Sequence, residues 1–263
     1  MHRMNSRAYA PATPAWHLIS LRPAGQHAAL RHAAARFGAR TLAVSPWRLR
    51  LHDDEATRDA LLQALAGDLL VFTSPAAATA AMRLVPAERW EAATLVAVGE
   101  GTARVLRRHG AGNVSAPARM DSEGLLALPA MAGLQGKRVA LVTAPGGRGV
   151  IAAQVQARGA RLQRVDVYER VPQALPAATL ARLQALAGPA VLAVSSGEAL
   201  ERVLSQLPPT LRQRWQQQPA VVASERLRAL AAAHGFAHVH VAAGPLPAQL
   251  AAAAYAAARP SGH

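Results

Sequence analysis

An α/β fold with parallel sheets flanked by helices is what this sequence predicts, on three observations. Short apolar runs of strand type alternate with Ala-rich helical stretches almost from end to end, the form taken by strand–helix–strand units. The apolar 51% of the chain is carried by Ala and Leu, with only 4 Trp, 3 Tyr and 3 Phe, which suits helices packed through small side chains. The third observation is an internal repeat.

The segment 21–40 matches 142–161 at a constant offset of 121: Gly25 falls on Gly146, and Gly38-Ala39-Arg40 on Gly159-Ala160-Arg161. A second unit beginning at Val71 matches one beginning at Ala193 at an offset of 122, so Thr73 and Ser74 fall on Ser195 and Ser196. It continues from Gly99 to Gly110 and from Ser224 to Gly235, each a helical stretch closed by a Gly of C-cap type. The chain is therefore written A, B, A′, B′. Duplication of this kind makes either two contiguous domains or two that exchange segments, and periodicity does not choose between them.

The start of the chain lacks the apolar core of about 7 to 15 residues that a secretory signal needs, so residues 1–14 read as a disordered leader and the protein as cytoplasmic. The first strand, Trp16–Leu21, runs into Arg22-Pro23-Ala24-Gly25, which puts one guanidinium near a strand end; a helix and the strand Thr41–Ser45 follow. The apolar strand Leu69–Thr73 passes into a helix through Thr73-Ser74-Pro75. A hydroxyl there caps the helix, and the N–H groups of its first turn offer a place for a carboxylate or phosphate. Capping alone accounts for one such turn. The same arrangement at Ser195-Ser196-Gly197, after the strand Val191–Ser195, points to a shared site, because ligands of open α/β sheets bind at strand C-termini.

Leu95–Val98 leads into Gly99-Glu100-Gly101-Thr102, where Gly99 permits close backbone approach and Thr102 can reach a ligand. The third glycine and the downstream acid of a dinucleotide fingerprint are missing, which sets a Rossmann cofactor site aside. Val139–Thr143 ends in Ala144-Pro145-Gly146-Gly147-Arg148, a glycine turn with one cation. It lacks the Lys-Ser/Thr ending of a P-loop, whereas paired guanidiniums at Arg22 and Arg148 suit carboxylates. The strand Leu162–Tyr168 ends just before Pro172, and a tyrosine so placed ordinarily packs its ring and leaves its hydroxyl in water. Pro219–Ala223 and His238–Ala242 complete the strands; His238 and His240 share a face, but no further ligand stands at metal spacing. No nucleophile elbow or zincin motif occurs.

A length of 263 residues favours two domains. No apolar stretch approaches the roughly 18 residues of a spanning helix, so no membrane segment is expected. Zero cysteines removes disulfides, thiolate catalysis and Cys-based zinc sites. The net charge of +14 attracts polyanions. Its arginines are scattered through helical stretches such as Ala103–Arg108, and no zinc finger, RNA-recognition signature or basic zipper appears, so a small polycarboxylate explains the charge as well as nucleic acid does. On the residues alone a non-catalytic binder of an anionic small molecule and a nucleic-acid binder both stay open.

Taken together, Ser20–Gly25, the Val-Phe-Thr-Ser-Pro run at Val71–Pro75, Val98–Gly110, Gly136–Gly149, Val167–Arg170 and Ser195-Ser196 resemble the uroporphyrinogen-III synthase family in order and spacing over roughly residues 15 to 257. The resemblance implies two α/β lobes joined by a two-stranded hinge, one lobe discontinuous: residues 15–45 with 173–259, and 50–167, with a cleft between them as active site. It also implies a substrate, hydroxymethylbilane, a linear tetrapyrrole with eight carboxylates; a reaction that closes the ring with inversion of ring D and loss of water; and no metal or cofactor. In the family's scheme, loss of the terminal hydroxyl gives an azafulvene, ring D attacks from its substituted carbon to give a spiro intermediate, and fragmentation and reclosure deliver the type III isomer; unassisted closure gives type I. Tyr168 matches the family's functional tyrosine and, protonated at neutral pH, would donate to the departing hydroxyl. Substrate arms would be held by Arg22, Thr73, Ser74, Gly99, Thr102, Gly147, Arg148, Ser195, Ser196 and Gly197. The preceding enzyme, hydroxymethylbilane synthase, is a transient partner by the same implication; no nucleic acid and no membrane are expected, and a monomer is the default. Two departures stand out: Ser224-Glu225-Arg226-Leu227 replaces a second Gly-x-x-Thr turn, putting a repelling carboxylate at Glu225, and Thr143-Ala144 replaces an Arg-Gly pair.

Overall fold

A computed structural model describes residues 16–119, 122–146 and 149–259; the leader expected at residues 1–14 lies outside them. The chain begins β1 (Trp16–Ser20), α1 (Ala28–Ala35), β2 (Ala39–Ala43), β3 (Trp47–Leu51), α2 (Glu55–Leu65), β4 (Leu69–Phe72), α3 (Pro75–Leu84), β5 (Leu95–Ala97), α4 (Glu100–Arg108) and β6 (Val114–Ser115). It continues α5 (Ser122–Leu126), β7 (Arg138–Thr143), α6 (Val150–Ala157), β8 (Arg161–Asp166), β9 (Tyr168–Pro172), α7 (Ala177–Gln184) and β10 (Ala190–Val194). The last elements are α8 (Gly197–Leu204), α9 (Pro209–Gln216), β11 (Ala220–Val222), α10 (Glu225–Ala233), β12 (Val239–Val241) and α11 (Pro247–Ala258).

The described residues divide into two units, 16–48 with 172–259 and 49–171. The first holds a parallel sheet in the order β12-β11-β10-β1-β2, the second a parallel sheet in the order β6-β5-β4-β7-β8. β3 and β9 pair as a separate two-stranded sheet, and the chain passes between units within these two strands. The duplication explains the orders. β1 and β2 belong to A and β10 to β12 to B′, whereas β4 to β6 belong to B and β7 and β8 to A′; each sheet therefore joins half of one copy to half of the other. The exchanged arrangement that the repeat left open is the one adopted.

Local rules set the ends of these elements. Ser74, Ser196 and Ser224 each cap a helix, accepting the N–H of Ala77, Ala199 and Leu227 respectively. Gly38 and Gly159, which the repeat places in register, take φ of 73° and 80° at the ends of equivalent helices, a conformation that costs any other residue.

The inner strands β10, β11, β4 and β5 are buried on both faces and read as unbroken apolar runs, whereas the edge strands β2, β6, β8 and β12 are partly exposed. In the first unit Ile19, Leu192 and Val222 pack with Leu200, Trp215 and Phe236, while their neighbours Leu18, Val191 and Val221 pack with Leu30, Leu250 and Ala254. In the second, Leu70, Phe72 and Val142 meet Leu61, Ala78 and Trp90, and Val71, Val96 and Leu141 meet Leu125, Met131 and Val155. At roughly 1.5–3 kcal/mol for each large side chain removed from water, these layers dominate the stability of each unit.

One strand differs from expectation. The run Leu162–Tyr168 is broken at Val167, whose N–H donates to Thr143 O at 3.0 Å and whose O accepts from His52 N at 3.1 Å. Tyr168 thus opens β9 instead of ending β8. Among the described residues no helix is long and apolar enough to cross a membrane.

Candidate active site

In the second unit β4 and β7 end side by side, with Phe72 opposite Val142, so Thr73 and Thr143 emerge together past the sheet. Thr73 Oγ1 donates to Thr143 Oγ1 at 2.8 Å. Ser74, capping α3, takes the N–H of Ala77 at 3.0 Å and stands 3.1 Å from the Tyr168 hydroxyl. The Tyr168 ring packs into the core beside Val165 and Val167, leaving the residue 7% exposed. These hydroxyls line a cavity of about 290 Å³ whose other polar walls are Arg164 and Arg170. Arg164 is braced by Asp166 at 2.9 Å and donates to Ala144 O at 2.6 Å. The cavity therefore presents a phenol, three aliphatic hydroxyls and two guanidiniums, a set that donates hydrogen bonds and attracts carboxylates.

The first unit repeats the strand-end geometry with different residues. Ser20 stands opposite Ala193 in the β1–β10 register, which aligns Arg22 with Ser195 two residues on. Arg22 corresponds to Thr143 in the repeat and Trp47 to Tyr168, so this copy carries a cation where the other has a hydroxyl and an indole where the other has a phenol. The Arg22 Nε is buried with no hydrogen-bond partner, and burial lowers the guanidinium's affinity for its proton. Ser195 is exposed and Ser196 caps α8.

The family model for uroporphyrinogen-III synthase HemD matches residues 28–252 of the chain. The chain belongs to the uroporphyrinogen-III synthase family. It is similar to the synthases of Salmonella typhimurium, 33% identical over 148 residues, and of Escherichia coli K12, 32% identical over 148 residues. Each match takes in 56% of this chain and only 60% of the relative's length. Among solved structures, the fold is similar to that of a mutant synthase from Thermus thermophilus, with a TM-score of 0.57 and 17% identity over 90% of this chain and 96% of that one. The Helicobacter pylori synthase gives a TM-score of 0.56 and 16% identity over 87% and 93% of the two chains.

Of the residues singled out in the sequence, Thr73, Ser74 and Tyr168 come together around one cavity. Gly99 and Thr102 lie at the start of α4, outside that lining; Gly99 has an extended φ of 178° and Thr102 is 2% exposed, its N–H bonded to Gly99 O. Gly197 is buried where a Cβ would come within 2.5 Å of Leu230 Cδ2, so its missing side chain lets α8 pack on α10. Gly147 and Arg148 lie outside the described residues. At the departure in the B′ copy, Ser224 caps α10 and Glu225 pairs with Arg228 at 2.7 Å, so that carboxylate is locally balanced.

Sequence reasoning missed Arg164 as a site residue and used Arg170 only inside a motif. The signal was present as a period of two, since Arg164, Asp166, Tyr168 and Arg170 alternate with Val165, Val167 and Glu169. It also missed His27, which lies between Ser20 Oγ at 2.9 Å and Ser45 Oγ at 2.8 Å. Burial, then Arg31 and Arg22, push its pKa down to about 4. The repeat alone pointed there, because His27 occupies the position of Arg148.

Proposed function

We propose that the chain is a uroporphyrinogen-III synthase, closing hydroxymethylbilane to uroporphyrinogen III with inversion of ring D and release of water. The observation that carries this is the pairing of Tyr168 with Ser74 at 3.1 Å in a cavity walled by Arg164 and Arg170. At about 290 Å³ the cavity is at the small end of ligand sites, suited to one substituted pyrrole and not to the whole tetrapyrrole. The hydroxymethyl-bearing ring enters it. Its acetate and propionate arms face the two guanidiniums. The C–O bond breaks with its electrons on the hydroxyl, which takes the Tyr168 proton and leaves as water; ring closure later releases a proton that restores the phenol. Selection of ring D's substituted carbon is then a matter of holding a flexible chain in one conformation, which needs many weak grips and few catalytic groups.

The net charge of +14 steers an eight-carboxylate substrate toward the chain. We place the reaction in the cytoplasm, with the enzyme acting as a monomer and hydroxymethylbilane synthase as a transient partner. The test supplies hydroxymethylbilane to the purified chain, oxidises the products and separates type I from type III uroporphyrin by chromatography. A dominant type III peak supports the assignment. Type I alone, at the rate seen without protein, overturns it and leaves a non-catalytic binder of an anionic small molecule.

A further inference from the structure

We infer that Ser74 serves Tyr168 and not the substrate: it is a positioning residue that donates its proton to the Tyr168 oxygen, turning the phenolic proton into the cavity and holding the phenolate once that proton has gone. The inference rests on the reading of Tyr168 as the acid. A serine hydroxyl has one proton and two lone pairs. Ser74 Oγ already accepts the Ala77 N–H at 3.0 Å, and the Tyr168 oxygen is 3.1 Å away. Were Tyr168 to donate across that contact, it would have no proton left for the cavity. With Ser74 donating, every group is matched: the amide N–H polarises the serine, the serine supports the phenol oxygen, and the phenol proton is free for the departing hydroxyl. The positive end of the ten-residue helix α3 lies at the same oxygen and favours the same distribution of charge. At 7% exposure Tyr168 meets little water, so a protein donor has to stabilise the phenolate.

The repeat supplies an internal comparison. Ser196 occupies the position of Ser74 and caps α8 through the Ala199 N–H at 3.3 Å. The position of Tyr168, however, is taken there by Trp47, whose indole cannot pass on a proton. The cap was duplicated; its partnership with a phenol exists in one copy.

A double-mutant cycle separates this role from capping and from substrate binding. Ser74→Ala is expected to lower kcat by about ten- to a hundredfold, within the range of general-acid effects, with KM changed by no more than about twofold. Ser74→Thr, which keeps the hydroxyl and the cap, should recover most of that loss. In a Tyr168→Phe background, Ser74→Ala should change kcat by less than about twofold, because the oxygen it serves is gone. An equal loss in both backgrounds reduces Ser74 to a helix cap and overturns the inference, and a raised KM at constant kcat returns it to substrate binding. Both of those outcomes leave wild-type type III synthesis intact, whereas absence of type III product from the wild type removes the underlying reading as well.

Discussion

His27 is 4% exposed, and each of its ring nitrogens meets a serine hydroxyl. A neutral imidazole suits that setting, donating through one nitrogen and accepting through the other; an imidazolium would be held out of water and repelled by Arg31 and Arg22. Its pKa in the folded chain, about 4, lies below the ordinary 6.5. Between those values the unfolded chain binds the proton that the folded chain refuses, so stability rises with pH. The contribution is complete above about pH 7 and is lost as pH falls through 6.5 toward 4, an amount on the order of 3 kcal/mol. Urea midpoints from pH 7 to 4 should therefore fall more steeply for the wild type than for His27→Gln; parallel curves would contradict a buried neutral histidine. Nothing local in the sequence marks this cluster, since Ser20 and Ser45 reach His27 only after β1 and the segment following β2 have folded beside each other. Ser74 was singled out because it stands between an apolar strand and the start of a helix, whereas Tyr168 was singled out only through the family resemblance, its place at a strand end reading by itself as a packed ring. Their mutual contact was not legible, because it joins residues far apart in sequence.

At the scale of elements, the sequence carried most strands through their apolar runs and the starts of α3, α8 and α10 through a Ser cap, with Pro75 reinforcing the start of α3. It was least informative where strands leave the main sheets. β3, Trp47–Leu51, alternates apolar Trp47, Leu49 and Leu51 with arginines, a half-exposed pattern that a search for unbroken runs passes over. β8 and β9 read as one strand because Val165, Val167 and Tyr168 form a continuous strand-type run across their junction, and the backbone contacts of Val167 that separate them are tertiary. Thr102 is read two ways. A Gly-x-Gly-Thr turn after a strand looks like a ligand loop, yet burial of the threonine gives that turn a sufficient reason in packing.

At the scale of the whole molecule, exchange of halves has a consequence for folding. All five strands of the β6-β5-β4-β7-β8 sheet, with the side chains on both its faces, lie in the continuous stretch 49–171. That fragment alone is expected to unfold cooperatively in urea and to give dispersed amide resonances. Residues 1–120, the first half of the duplication, contain β1 without β10 and β4 without β7, and should do neither. The reverse result would mean that A and B form a unit by themselves. The duplication was visible in the sequence but the exchange was not, since offsets state which segments are alike and not which ones pair. The proposed mechanism joins the scales: one phenol, set by a capped helix at the end of a parallel sheet, gives its proton to the departing hydroxyl and so opens the way to ring closure. The measurement that tests it most directly runs wild type and Tyr168→Phe side by side on hydroxymethylbilane and resolves the two uroporphyrin isomers. The expected result is a type III rate lower in the variant by about tenfold to a thousandfold, with the surplus bilane closing to type I and the fold unchanged by circular dichroism. Equal type III rates would contradict it.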